Sequence, residues 1–134
     1  MYKKLISILI FLIILSISII YFSNEEDHPD NYVKDVIDGD TFKINSGETV
    51  RILCVDTPEK GDKNYEEAKL FLEGRILNKE VQLKSIGDDK DKYGRILRYV
   101  YLNDTMINME IIENNYSKLY IYGNDTSNCR ELIV

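Results

Sequence analysis

The sequence predicts a mainly β fold with α elements (α+β): a five-stranded β-barrel with two or three helices, behind an N-terminal hydrophobic helix. Three observations predict it. The chain opens on an uncharged apolar run, continues in short β-prone runs parted by turn signals, and later carries two stretches with apolar residues at helical spacing.

The opening run covers 5–22, eighteen residues without a charge, proline or glycine, after a short basic start at Lys3 and Lys4. Two readings compete, a cleaved signal peptide and an uncleaved anchor. The length favours the anchor, and Ile19, Ile20, Tyr21 and Phe22 are too bulky for a cleavage site; Ser16 and Ser18 offer only a poor one. No cysteine follows directly, so lipoprotein processing is not expected. Lys3 and Lys4 hold their end in the cytoplasm and send the rest out, so the domain is expected to be extracytoplasmic, membrane-anchored or secreted. Residues 23–31 are polar, acidic and interrupted by Pro29, which reads as a tether with the domain beginning near Tyr32. The single histidine, His28, falls in that tether, so histidine is not expected in any catalytic or metal scheme.

From Tyr32 onward, β-prone runs at 33–37, 41–45 and 49–55 are separated by Asp38-Gly39-Asp40 and Ser46-Gly47, the pattern of a three-stranded meander. Thr57-Pro58 breaks it. Ala68, Phe71, Leu72 and Ile76 then predict a helix over 65–77. Strands four and five are expected at 80–86 and 96–102. A second helix is expected over 106–116 from Met106, Met109, Ile112 and Tyr116, with Asp104 or Thr105 available as its cap. Five strands interleaved with helices in this order suit an OB-like barrel.

The 134 residues make one export segment and one compact domain of about a hundred residues. Net charge is −6, and without Lys3 and Lys4 the 15 basic and 23 acidic residues leave −8. Such a balance argues against binding nucleic acid by bulk attraction, so any phosphate chemistry needs local positive charge. Cys54 and Cys129 are a single, widely separated pair that does not read as a disulfide framework, and Cys54 is expected to act as a small buried hydrophobe.

Three local constellations carry chemistry: Asp38-Gly39-Asp40-Thr41, Arg51 through Asp56-Thr57-Pro58-Glu59, and Asp91-Lys92-Tyr93-Gly94-Arg95. Each alone reads more readily as an ordinary hairpin, strand end or loop; together, in order, they are specific. Asp40 opens one strand and Asp56 closes the next, so both carboxylates can meet at one barrel rim as hard ligands for calcium or magnesium. The bland alternative is a pair of solvated turn aspartates. Arg51 lies among Ile52, Leu53 and Val55, where a guanidinium is costly without an anion, either a substrate phosphate or a structural carboxylate. Arg95 offers a second fork for phosphate oxygens. Glu59, three residues past Asp56, is the candidate base.

These residues give the chain a close resemblance to the staphylococcal-nuclease family, an SNase-like OB-fold domain, over roughly Tyr32 to Tyr122. The resemblance implies Ca2+ held by Asp40, Asp56 and the carbonyl of Thr57, a scissile phosphate held by Arg51 and Arg95, and Glu59 as general base. It places Asp38 close by but outside the metal's ligands, and Lys92 and Tyr93 on the terminal phosphate of a bound nucleotide. Tyr120 is the implied base-stacking platform and Tyr122 the fallback, although both also read simply as barrel cover. It further implies hydrolysis of DNA and/or RNA to 3′-phosphate and 5′-hydroxyl ends by a chain acting as a monomer. Two departures stand out: a shorter loop between Glu59 and the first helix, and only 126–134 remaining where the family carries a long C-terminal helix. The rival readings are a non-catalytic OB module that binds strands or a protein at the cell surface, and a structural surface protein.

Overall fold

The computed structural model describes residues 2–22, 28–85, 87, 89–121, 129 and 132. The first element, α1 (Tyr2–Phe22), is about 30 Å long at 1.5 Å per residue. Over Tyr2–Ile19 its mean hydropathy is 2.1 and no side chain is buried, so it is long and apolar enough to cross a bilayer.

The barrel is built from β1 (Val33–Val36), β2 (Thr41–Ile44), β3 (Thr49–Ile52), β5 (Gln82–Lys84) and β6 (Ile96–Leu102), in the order β1-β2-β3-β6-β5. The first three pair antiparallel as hairpins, while β3 runs parallel to β6. A seven-residue strand can serve two partners: β6 gives 96–98 to β3 and 99–101 to β5. The sheet closes on itself through the Tyr32–Glu80 bridge, with Val33 N–H donating to Lys79 O (2.9 Å) and Asn78 N–H to Val33 O (3.0 Å). This is the expected five-strand OB-like closure.

The expected third strand, 49–55, divides in two. Cys54 takes a left-handed backbone (φ 63°), and the chain turns there. Beyond the turn, β4 (Val55–Asp56) leaves the barrel sheet and pairs with β8 (Lys118–Leu119). Thr105 is not a helix cap either: with Met106 it forms β7 against β6. The helix α3 (Ile107–Glu113) starts from Met106 without a side-chain cap. Tyr116 lies beyond that helix, its ring 4.7 Å from Phe71.

Inward-facing Val33, Phe42, Val50, Ile52 and Val100 meet Leu72 and Ile76 of α2 (Tyr65–Ile76) and Ile107 and Ile111 of α3, all essentially fully buried. Arg75 of α2 grips Glu110 of α3 with two bonds, 2.7 and 3.0 Å. Asn108, fully buried, accepts from Val100 N–H (2.9 Å) and donates to Leu53 O (2.8 Å), fixing α3 to β6 and to the turn before β4. Residues 28–31 are also tied down. Ser46 N–H donates to Asp30 O (3.1 Å), Val81 N–H to Asn31 O (3.2 Å), and the His28 ring stacks on Tyr32 at 3.7 Å. The packed domain therefore reaches back at least to His28.

Cys54 is not a free hydrophobe. It is disulfide-bonded to Cys129, 75 positions away, because the fold returns residue 129 to within 5.7 Å (Cα–Cα) of the turn. Around the bond sit buried Tyr99 and Leu132, a second small core that the sequence pattern did not reveal. A cross-link closing so long a loop contributes about 2–5 kcal/mol. Cys129→Ser is therefore expected to lower the urea-unfolding midpoint, and reductant to bring the wild type to the variant's value while leaving the variant unmoved. Equal midpoints for oxidised and reduced wild type would show that the bond carries no stability.

Candidate functional site

The β1–β2 hairpin turns through Asp38-Gly39-Asp40, and its tightness has a steric cause. A Cβ on Gly39 would sit 2.8 Å from Ala68 Cβ and 2.8 Å from Thr57 Oγ1, so only glycine lets helix α2 and the strand end at Thr57 close over the turn. The Asp40 N–H donates to Asp38 Oδ1 (3.0 Å), which orients the hairpin tip. Burial, together with the neighbouring Asp40 charge, pushes the Asp38 carboxyl up to about 6.

Asp40 is 5% exposed and fully engaged. Its Oδ2 accepts from Thr57 N–H (2.8 Å) and Thr57 Oγ1 (2.9 Å), and its Oδ1 accepts from Thr41 Oγ1 (3.0 Å). Arg51, on the outward face of β3 between buried Val50 and Ile52, reaches both aspartates: Nε lies 3.2 Å from Asp40 Oδ1 and NH2 lies 3.2 Å from Asp56 Oδ1. Its NH1 donates to the carbonyls of Ile52 and Val55, each at 2.8 Å. Two carboxylates from different connections of the barrel thus share neighbouring nitrogens of one guanidinium. The anion that Arg51 requires is found within the chain.

Arg95 belongs to the adjoining loop. Asp91 holds it by Nε (2.7 Å) and by its N–H (3.0 Å), and also accepts the Tyr93 N–H (2.9 Å). Partial burial works to raise the Asp91 carboxyl, but the Arg95 fork and these backbone N–H groups outweigh it and hold the carboxyl below its ordinary value. Arg95 NH1 is 3.5 Å from Thr41 Oγ1, one hydroxyl away from Asp40. Tyr93, 72% exposed, has two cations over its ring, Lys92 Nζ at 5.0 Å and Arg95 Cζ at 5.4 Å from the ring centre. Glu59 is exposed, in a short turn closed by Asp62 N–H to Glu59 O (2.9 Å) and Glu59 N–H to Asp62 Oδ2 (3.2 Å). It opens on a groove of about 950 Å³ whose walls include Asp56, Thr57, Glu59 and Tyr120. Tyr122 lies outside the described residues.

The chemistry of the donor set suits a hard cation. Asp40, Asp56 and Thr57 offer only oxygens, as calcium and magnesium prefer. Among the described residues no cluster of three or more acidic, histidine or cysteine side chains occurs, so a cation here would need neutral oxygens to complete its shell. Three positioning contacts escaped sequence reading. Thr41 links Arg95 to Asp40, Ser117 Oγ accepts the Asp56 N–H (2.7 Å), and Asn108 holds the Leu53 carbonyl (2.8 Å). Only Thr41 lies in a recognisable motif; Ser117 and Asn108 depend on pairings over fifty residues long, to which no local pattern points.

A family model described as "Staphylococcal nuclease homologue" matches residues 49–133, a span that holds Arg51, Asp56, Glu59 and Arg95 and follows the Asp38–Asp40 hairpin. The chain is similar to a thermonuclease of Staphylococcus intermedius, 37% identical over 99 residues, covering 67% of this chain and 59% of that protein. It is also similar to a thermonuclease of Staphylococcus hyicus (32% over 96 residues, 65% of this chain and 57% of that protein). A third relative is endonuclease YncB of Bacillus subtilis (34% over 101 residues, 67% and 48%). The chain thus spans about half to three-fifths of the length of the curated relatives it matches. With a closed barrel of the expected order and a match over most of its folded part, the chain belongs to the staphylococcal nuclease family.

Proposed function

We propose that the protein is a calcium-dependent nuclease, acting as a monomer outside the cytoplasm, that hydrolyses phosphodiester bonds of DNA and/or RNA to 3′-phosphate and 5′-hydroxyl ends. The observation that carries this reading is the shared guanidinium: Arg51 brings Asp40 and Asp56 to one rim, beside Arg95 and next to the groove that Glu59 opens on. Two relatives named thermonuclease and one named endonuclease support it. The apolar α1 supports placement at or beyond the membrane, and the disulfide suits an oxidising compartment.

In this proposal Asp40, Asp56 and the Thr57 carbonyl would hold Ca2+, which would supply positive charge for a non-bridging phosphate oxygen. Glu59 takes the proton of the attacking water as its oxygen bonds to phosphorus and the bond from phosphorus to the 5′-oxygen breaks, and the leaving 5′-oxygen takes up a proton from water to end as the 5′-hydroxyl. Arg51 and Arg95 stabilise the charge that develops on the phosphoryl oxygens. Arg51 is suited to this because the Ile52 and Val55 carbonyls fix its fork whichever anion it faces. Asp91 fixes Arg95 in the same way, and Lys92 and Tyr93 contact the adjoining phosphate. Tyr120, or Tyr122, stacks a base.

One observation favours a second reading, a strand-binding module without catalysis: both arginine forks already have carboxylate partners, Arg51 on Asp40 and Asp56 and Arg95 on Asp91. Incubating the full chain with single- and double-stranded DNA and with RNA, first with calcium and then with chelator, separates the two. Cleavage that chelator abolishes supports the nuclease; retention of strands without cleavage supports the module.

Glu59→Gln is expected to lower kcat by roughly 10²–10⁴ while the fold is kept, and full calcium-dependent turnover would remove Glu59 from the chemistry. Arg51→Lys keeps the charge but loses the fork and the paired carbonyl contacts, so kcat/KM is expected to drop by about 10² or more; a near-normal value would assign the arginine to structure alone. A third variant concerns pH. Because the Asp38 carboxyl sits near 6 in the folded chain, above its ordinary 3.8, its contribution is favourable below about 4 and is lost as pH rises through about 6. Asp38→Asn keeps an acceptor for Asp40 N–H, so calcium-free protein is expected to gain about 1 kcal/mol at pH 8, with solvent screening taken into account, and nothing at pH 4. A gain independent of pH in urea melts would contradict the assignment.

A further inference from the structure

A polynucleotide with one phosphate at the Arg51–Arg95 rim must leave the site in two directions. One runs over the 91–95 loop, where Lys92, Tyr93 and Arg95 are gathered. The other is the groove of about 950 Å³, which shares Asp56, Thr57 and Glu59 with the site and whose walls contain none of those three loop residues. That volume lies at the upper end of the ~300–1,000 Å³ range of small-ligand pockets, and the open form suits a chain passing through rather than a molecule enclosed.

The cations of this groove are Lys63 and Lys118, both exposed. Lys118 is the cross-strand partner of Asp56 in the β4–β8 pair, so it flanks the proposed metal carboxylate. Lys63 lines the same groove from the turn between Glu59 and α2, next to Asp62 in the chain. The same groove is lined by Leu119 and Tyr120, 36% and 42% exposed, and by half-buried Tyr116. Apolar and aromatic surface flanked by lysines is the arrangement that holds single strands, bases on the aromatic faces and phosphates on the ammonium groups. In a chain of net charge −6, such a pair cannot be assigned to a general basic surface.

We infer that Lys63 and Lys118 form a second phosphate-binding subsite, on the groove side of Glu59, for the neighbouring phosphate of a single polynucleotide strand. The inference rests on the nuclease reading for its substrate class. It implies that the site grips a strand on both sides of the scissile bond and favours oligomers over dinucleotides.

The test is binding of a fluorescent ten-nucleotide single-stranded DNA to the full chain in neutral detergent micelles, titrated over salt with chelator present. The Lys63→Ala/Lys118→Ala variant is expected to bind about tenfold more weakly. Its slope of log affinity against log salt is expected to fall by about 1.4, since each phosphate contact on a single strand contributes about 0.7. The Lys63→Arg/Lys118→Arg variant is expected to restore both, and Lys34→Ala/Lys43→Ala, on exposed positions of β1 and β2, to leave both unchanged. An unaltered slope in the double alanine variant overturns the subsite, whether or not affinity changes. Cleavage of the same oligomer with calcium is scored separately. Cleavage with an unaltered slope removes the subsite and keeps the nuclease, while a reduced slope without cleavage keeps the subsite and removes the nuclease.

Discussion

A guanidinium fixed in the wall of a small barrel needs anions, and the rest of this structure is arranged around supplying them. Arg51 lies between buried Val50 and buried Ile52, so strand alternation sends it outward with no choice of face. The two carboxylates it meets come from different connections, Asp40 from the β1–β2 turn and Asp56 from β4, and each would repel the other without it. Charge neutralisation and site assembly are therefore one event. Removing Arg51 leaves two carboxylates uncompensated, which is why stability and any chemistry here are coupled rather than separable.

Asp56 is the less secure of the two. It is exposed, on a two-residue strand that has already left the barrel sheet, and its position is inherited from several weak constraints. The left-handed turn at Cys54 redirects the chain, Asn108 holds the Leu53 carbonyl just before it, Ser117 takes the Asp56 N–H, and Tyr120 N–H donates to Cys54 O at 2.9 Å. The disulfide to Cys129 closes this set. It fastens the turn covalently to the chain beyond the tyrosines, so the redirection at Cys54 does not depend on hydrogen bonds alone.

How legible this was depended on how local each signal is. The strands at 33–37, 41–45 and 96–102 and the helix at 65–77 could be read because their turns and periodicities lie within a few residues, and they agree with the elements found to within a residue or two. The grouping of Asp40, Arg51, Asp56 and Arg95 was legible because each lies at or near a strand end whose partner is the next strand or two. The splitting of 49–55 was hidden: Leu53, Cys54 and Val55 look like continuing strand, and nothing local says that Cys54 adopts φ 63°. The disulfide was hidden for the same reason, since spacing carries no information about a pair brought together only by the closed barrel. Ser117 is an ordinary polar residue until β8 is laid beside β4.

The direction of the strands adds a consequence for how the domain meets its surroundings. Strand β1 starts beside residues 28–31, which are fastened by Ser46 and Val81, and ends at the Asp38–Asp40 turn; β2 and β3 run between the same two ends. The carboxylate–arginine rim is therefore at the barrel end opposite the one that receives the chain from α1.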